Sequence, residues 1–222
     1  MNIAKNVEKI RSKIPENVRV LAAAKTRSAE EIIEVVKAGI TDIGENYVQE
    51  TEEVFEKVNK GTNVNITWHM IGHLQRNKVK DALKFFDVIQ SLDSFRLARE
   101  VNKRARKANM VVPAFVEINS GKEEQKHGIM PDKFDEFIER IKDYTNLRII
   151  GIMTMGPIFD NPEELRPYFR LTRELYERAK KIEQDNLDIK WLSMGMTDSY
   201  HIAIDEGANM IRIGTALFGP RD

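Results

Sequence analysis

Lys25 ends the run Val18-Arg19-Val20-Leu21-Ala22-Ala23-Ala24, and its amine is the group in this sequence best suited to trapping an aldehyde. A lysine condenses to a Schiff base when burial lowers its pKa. The small side chains of Ala22, Ala23 and Ala24 leave room beside the chain for a flat ring. Taken alone, a lysine just past a strand is more often a solvated surface group. Two segments near the C-terminus change that balance: Ser193-Met194-Gly195-Met196-Thr197 and Arg212-Ile213-Gly214-Thr215. Gly195 and Gly214 carry no side chain to keep backbone N–H groups from an anion, and Ser193 and Thr215 add hydroxyl donors. A phosphate cradle together with an aldehyde-trapping lysine points to a phosphorylated aldehyde.

Three further residues could complete such a site. Arg212 lies between Ile211 and Ile213. If it points inward it needs an acceptor, which a pyridine nitrogen could be; if outward, it pairs with a helix carboxylate. His69, between Trp68 and Met70, reads as a pocket-lining group rather than a catalytic one, with a satisfied core histidine as the alternative. Asn46 either donates to a ring oxygen or caps a helix that begins at Tyr47. Four histidines and no cysteine give no metal-ligand spacing. His69 and His73 would face together on a helix, but the segment reads as a strand, so no metal is expected.

These residues need a scaffold that brings strand ends together. Strand patterns occur at Val18 to Ala23, Asp42 to Gly44, Ile66 to Ile71, Phe86 to Gln90, Val111 to Glu117, Arg148 to Ile152, Ile189 to Leu192 and Met210 to Ile213. Helical patterns alternate with them at Ala29 to Ala38, Tyr47 to Asn59, Phe95 to Ala108, Pro131 to Asp143, Glu163 to Gln184 and Tyr200 to Glu206, and a further helix, Ile3 to Lys13, precedes the first strand. Phe134, Phe137, Ile138 and Ile141 form a core-facing stripe. The alternation predicts one α/β domain over residues 1–222, a single-domain (β/α)8 TIM barrel with an extra N-terminal helix. An open doubly wound sheet would want G-x-G-x-x-G after its first strand, where this chain has Ala-Lys-Thr-Arg-Ser. Barrels place their sites at the C-terminal ends of the strands and often bind phosphate after strands seven and eight, where both small-residue segments fall.

Composition narrows the classes. The chain has 222 residues, 35 basic against 35 acidic side chains and 41% hydrophobic residues, which suits a folded globular domain. The balanced charge argues against nucleic acid as a partner, and Lys103-Arg104-Ala105-Arg106-Lys107 reads as the outer face of a helix. Without cysteine there is no disulfide, thiolate metal site or cysteine nucleophile. Met1 to Lys13 lacks the apolar core of a signal peptide, and no apolar run is long enough to span a bilayer, so no membrane partner and a cytoplasmic location are expected.

Several ordered stretches resemble one family. They are Val20 to Thr26, Gly44 to Glu50 (GENYVQE), Trp68 to Lys78 (WHMIGHLQRNK), Gly151 to Met155, Leu192 to Thr197 (LSMGMT) and Arg212 to Gly219 (RIGTALFG). Together they are similar to the YggS/PROSC family of pyridoxal 5'-phosphate (PLP) homeostasis proteins, and the likeness runs through nearly the whole chain. It implies a barrel like the N-terminal domain of alanine racemase, preceded by an extra helix, of the fold type III class of PLP proteins. It implies PLP as cofactor, Lys25 as the Schiff-base lysine, and Arg212 facing the pyridine nitrogen. It also implies Ser193, Gly214 and Thr215 as the phosphate cradle with Met194 and Gly195 in the same loop, and Asn46 and His69 lining the pocket.

By that resemblance the chain holds PLP reversibly in intracellular vitamin B6 homeostasis. PLP-requiring apo-enzymes are the candidate recipients, and a monomer is expected. The alternatives are a slow racemase-like PLP enzyme and an aldolase-type enzyme using Lys25 on a sugar phosphate. An arginine opposite the pyridine nitrogen disfavours its protonation and weakens the ring as an electron sink. The chain ends near Asp222, without the second domain that supplies an opposing base in racemases of this barrel type. The aldolase reading lacks an acid–base pair near Lys25. The expectation is therefore a carrier with no efficient catalytic activity.

Overall fold

The computed structural model describes residues 2–220. Eight strands close into a parallel barrel in sequence order. They are β1 (Arg19–Ala23), β2 (Asp42–Glu45), β3 (Thr67–Met70), β4 (Val88–Leu92), β5 (Val112–Glu117), β6 (Leu147–Met153), β7 (Leu187–Ser193) and β8 (Met210–Ile213). β1 pairs with β2 on one side and β8 on the other, which closes the ring. Helices α1 (Ile3–Arg11), α2 (Ala29–Lys37), α3 (Val48–Gly61), α4 (Val79–Ala82), α5 (Phe95–Lys107), α6 (Phe134–Arg140), α7 (Arg166–Ala179), α8 (Tyr200–Asp205) and α9 (Thr215–Phe218) alternate with the strands outside it.

Local chemistry explains the main boundaries. Ser28 accepts the Glu31 N–H while the Glu31 carboxylate accepts the Ser28 N–H, a capping box that starts α2 within three residues of Lys25. Gly39, at φ 100°, ends that helix in a conformation that suits glycine. Ser94 caps α5 through the Leu97 N–H. The extra helix α1 buries Ile3, Val7 and Ile10 and lies against α2 and α9. The Asn6 side chain ties it to the Leu217 carbonyl at 2.8 Å.

Side chains alternate between two cores. Ala22, Ala24 and Ile43 join the layer between strands and helices. Leu21, Val88, Phe115, Met153 and Met210 fill the barrel interior. Ala22 and Ala24, read from sequence as space beside Lys25, therefore pack outward, and Ala23 is the alanine left at the mouth.

Several boundaries differ from the sequence pattern. The fourth strand runs from Val88, two residues later than the apolar run Phe85-Phe86 suggests, because Asp87 turns to accept the Trp68 N–H at 2.8 Å. It also runs two residues past Gln90, through the polar yet fully buried Ser91 to Leu92, which hydropathy hides. The segment from Pro131 opens as a 3-10 turn before α6, although all four residues of its stripe are buried. The long helical pattern to Gln184 opens as a 3-10 turn at Pro162–Leu165 and leaves the α-helix at Ala179. Helices α4 and α9 are four residues each, too short for a periodic signal. Among the described residues no helix is long and apolar enough to cross a membrane.

Candidate functional site

The C-terminal mouth of the barrel collects most of the residues the sequence singles out. Lys25 stands half-buried one residue past the Ala24 N–H bond to the Gly44 carbonyl, and its Nζ lies 5.1 Å from the centroid of the Tyr47 ring. Thr26, next in the chain, has φ 65°, and its N–H reaches the Glu50 carboxylate at 3.3 Å. Asn46 is half-buried in the loop after β2. It caps nothing, because the helix starts at Val48 with Tyr47 at the cap position.

On the other side of β1 from β2, the strand β8 brings Arg212 to the interior at 3% exposure, so the inward reading holds. Its Nη1 donates to Ser193 Oγ at 2.8 Å, and its Nη2 donates to the Thr154 carbonyl at 2.8 Å. Burial pushes the guanidinium down to about 10, opposed by the charge of Glu117, which leaves it cationic at neutral pH. Five N–H groups exceed these two oxygen partners, so Arg212 keeps donors for an incoming acceptor.

The bonds continue across the barrel. Ser193 Oγ donates to Gln90 Oε1 at 2.8 Å, Gln90 Nε2 meets His69 Nδ1 at 3.1 Å, and His69 Nε2 meets Asp42 Oδ1 at 3.0 Å. Arg19 reaches the same Asp42 oxygen at 3.2 Å from the opposite face of the barrel. The ends fix the direction. Arginine only donates and an ionised aspartate only accepts, so every hydrogen between them points from Arg212 toward Asp42. His69 then accepts at Nδ1 and carries its proton on Nε2. This buried histidine, 2% exposed, is the satisfied core group and not a lining one. The Ser193 hydroxyl, expected at a phosphate, is likewise committed to Arg212 and Gln90.

The loops after β7 and β8 meet through the Ala216 N–H and Thr197 Oγ1. Gly195 has φ 86°, and a Cβ there would lie 2.5 Å from the Ala203 Cβ, so only glycine allows this close approach. At Gly214 a Cβ would meet only Ala23, at 3.4 Å from its oxygen and 3.7 Å from its Cβ. The protein therefore leaves space there that its own packing does not require. Thr215 begins α9 beside it and is exposed. Thr197 Oγ1, absent from the sequence-derived set, accepts the Ala216 N–H at 3.3 Å and so lies beside Gly214 and Thr215. Its hydroxyl in the loop after the seventh strand was the signal that could have found it. Met194 is not brought here. Its side chain is buried in the outer core, and its N–H bonds the Met210 carbonyl. A cavity of about 350 Å³ has Met155, Met196, Glu117 and His127 among its lining, and its Met155 sulfur lies 3.3 Å from Arg212 Nη2.

Two carboxyls near the mouth sit above the ordinary carboxylate range. Burial, reinforced by the Glu50 charge and opposed by the Asn46 N–H, pushes Glu45 up to about 8, and its Oε2 has no hydrogen-bond partner among the described residues. Burial and Asp93 push Glu117 up to about 7 against the pull of Arg212. Such groups stay protonated in the fold while the unfolded chain releases their protons above about 4.5. The stability they support is complete below that pH and is lost as pH rises toward 8. The substitution Glu45→Gln is expected to leave stability unchanged at pH 5 and to raise it relative to the parent at pH 8.5. Denaturant melts at both values check this, and an equal offset at the two would contradict it.

The chain matches the family model of the alanine racemase N-terminal domain over residues 1–222. It is 41% identical over 203 residues to a pyridoxal phosphate homeostasis protein of Aquifex aeolicus, covering 91% of this chain and 87% of that one. Among solved structures it resembles PipY of Synechococcus elongatus without PLP (TM-score 0.90, 29% identity, 98% of this chain and 100% of that chain). PipY with PLP bound gives a TM-score of 0.85 at 30% identity with the same coverage. An alanine racemase of Clostridium difficile shares the fold at a TM-score of 0.81 and 15% identity, over 99% of this chain and 60% of its own.

Proposed function

Because this chain belongs to the family of the alanine racemase N-terminal domain, and within it to the pyridoxal phosphate homeostasis proteins, we propose that it holds PLP at the barrel mouth as a Schiff base on Lys25. One observation carries the reading: Arg212 is braced inward by Ser193 and Thr154, in the same mouth as Lys25 and the open space at Gly214. The donor set fits the cofactor. Gly214, Thr215 and Thr197 would hold the phosphate, with Gly195 shaping the loop. The helix α9 is short, so its contribution is N–H groups left without intrahelical partners rather than a large dipole. Arg212 would face the ring nitrogen, and Asn46 would line the ring edge. Lys25 would supply the amine for the aldehyde, with water as the product released, so that PLP would be held covalently but reversibly.

PLP supplies an electron sink whose strength depends on protonation of its ring nitrogen. Arg212 opposes that protonation, because its own charge is locked into a buried chain of donors. His69 has both ring nitrogens engaged, one by Gln90 and the other by Asp42. These features favour a carrier in intracellular PLP homeostasis, releasing cofactor to PLP-requiring apo-enzymes. A slow racemase-like activity is the second reading. The observation behind it is Glu117, a carboxyl near 7, the range of a general base.

Turnover separates the two. With saturating PLP and each common L-amino acid, chiral inversion and keto-acid formation are expected to stay well below roughly 1 s⁻¹, the low end of ordinary enzyme rates. A faster rate that disappears in Glu117→Gln would replace the carrier reading with the enzyme. On the carrier reading, transfer of PLP to an apo-enzyme runs faster than spontaneous release; transfer no faster than release would remove delivery from the account.

A further inference from the structure

The spacing of His69 and His73 gives no metal site, and the fold separates them: His69 is sealed in the barrel while His73 emerges in the loop after β3. The structure instead brings His73 to two residues distant in sequence, Asp93 after β4 and His127 after β5. The ligand atoms of the three lie within 4.8 Å of one another. Both histidines turn Nδ1 toward a single carboxylate oxygen, Asp93 Oδ2, at 2.8 Å for His73 and 3.6 Å for His127. The carboxylate is buried at 6% side-chain exposure, while the imidazoles are open at 40% and 55%. No lysine or arginine pairs with Asp93 among the described residues.

The two rings stack face to face, 3.6 Å between centroids and 9° from parallel.

From this convergence we infer that His73, Asp93 and His127 bind a divalent transition-metal ion, of the zinc or cobalt class, at the barrel mouth. Two imidazoles and one carboxylate form a donor set that suits these ions and leaves positions for water. Magnesium and calcium, which prefer oxygen donors, are disfavoured. A metal lies in the plane of each imidazole it binds, so the parallel rings must splay as the ion enters. Exposure permits this, and Gly128, at φ 114°, follows His127 directly. The inference does not depend on PLP, since none of the three residues is assigned to the cofactor.

The test is calorimetric titration of Zn²⁺ and Co²⁺ into the untagged full-length chain, with stoichiometric PLP and without it. One equivalent is expected to bind in both states, with a visible Co²⁺ absorption of low-symmetry nitrogen–oxygen coordination and altered ring-proton resonances of two histidines. His127→Ala and His73→Ala should each weaken binding at least about tenfold, since even supporting residues around metal ligands cost about 10–100-fold. Both positions are exposed enough that unchanged thermal melts will show the fold intact. Binding seen only with PLP, binding indifferent to both substitutions, or no binding would each overturn the inference.

Discussion

Pyridoxal lacking its phosphate is expected to bind this chain at least about a hundredfold more weakly than PLP. The paired loops at Gly195, Thr197, Gly214 and Thr215 carry hydroxyl groups, and Gly214 leaves open space. Each charge-assisted hydrogen bond lost is worth about 1.5–3 kcal/mol, and two suffice for that ratio because about 1.4 kcal/mol is a factor of ten. A companion substitution locates the effect. In Gly214→Leu the new Cβ starts at ordinary contact distance from Ala23, so the added bulk extends into the space proposed for the phosphate. PLP affinity should then fall toward that of pyridoxal while thermal melts show a folded chain. Equal affinity for the two ligands in the parent protein would move the phosphate elsewhere.

The second large effect falls on stability. Gln90 is buried between Ser193 and His69 and is the only link shown between the Arg212 half of the chain of hydrogen bonds and the Asp42 half. Gln90→Leu keeps the volume near its original value but strands the Ser193 hydroxyl and His69 Nδ1. Each unsatisfied buried group costs about 1–3 kcal/mol, so roughly 2–6 kcal/mol is expected from urea denaturation. Against about 5–15 kcal/mol for an ordinary domain this is a large fraction. Because Ser193 also loses its acceptor, Arg212 should be held less firmly and PLP affinity should drop in molecules that still fold. A loss below about 1 kcal/mol would mean that the bonds do not act as a connected network.

The barrel was legible because its evidence is periodic. Eight apolar runs alternating with amphipathic segments have few other solutions, and Ser28, Gly39 and Ser94 punctuate them as capping chemistry requires. What escaped was short or polar. Helices α4 and α9 are one turn each, and β4 runs past the expected end at Gln90 through the polar, buried Ser91 to Leu92. Lys25, Arg212 and Gly214 were legible at the site because strand ends define the mouth of a barrel. The partners of Ser193 and His69 were not, because a chain of side chains through five strands leaves no spacing in the sequence. Met194 illustrates the strand alternation at work: flanked by mouth-facing Ser193 and Gly195, it necessarily points the other way. The three residues proposed to bind a metal come from three separate loops, so no local pattern announced them.

The central claim, covalent capture of PLP by Lys25, is tested most directly by borohydride reduction of the PLP-loaded chain followed by mass mapping of its peptides. The account predicts one reduced PLP adduct per chain, on the peptide containing Lys25, and loss of that adduct together with the visible absorption band in Lys25→Ala. An adduct on another lysine of the unsubstituted chain, or a Lys25→Ala protein that keeps the band and the adduct, would contradict it.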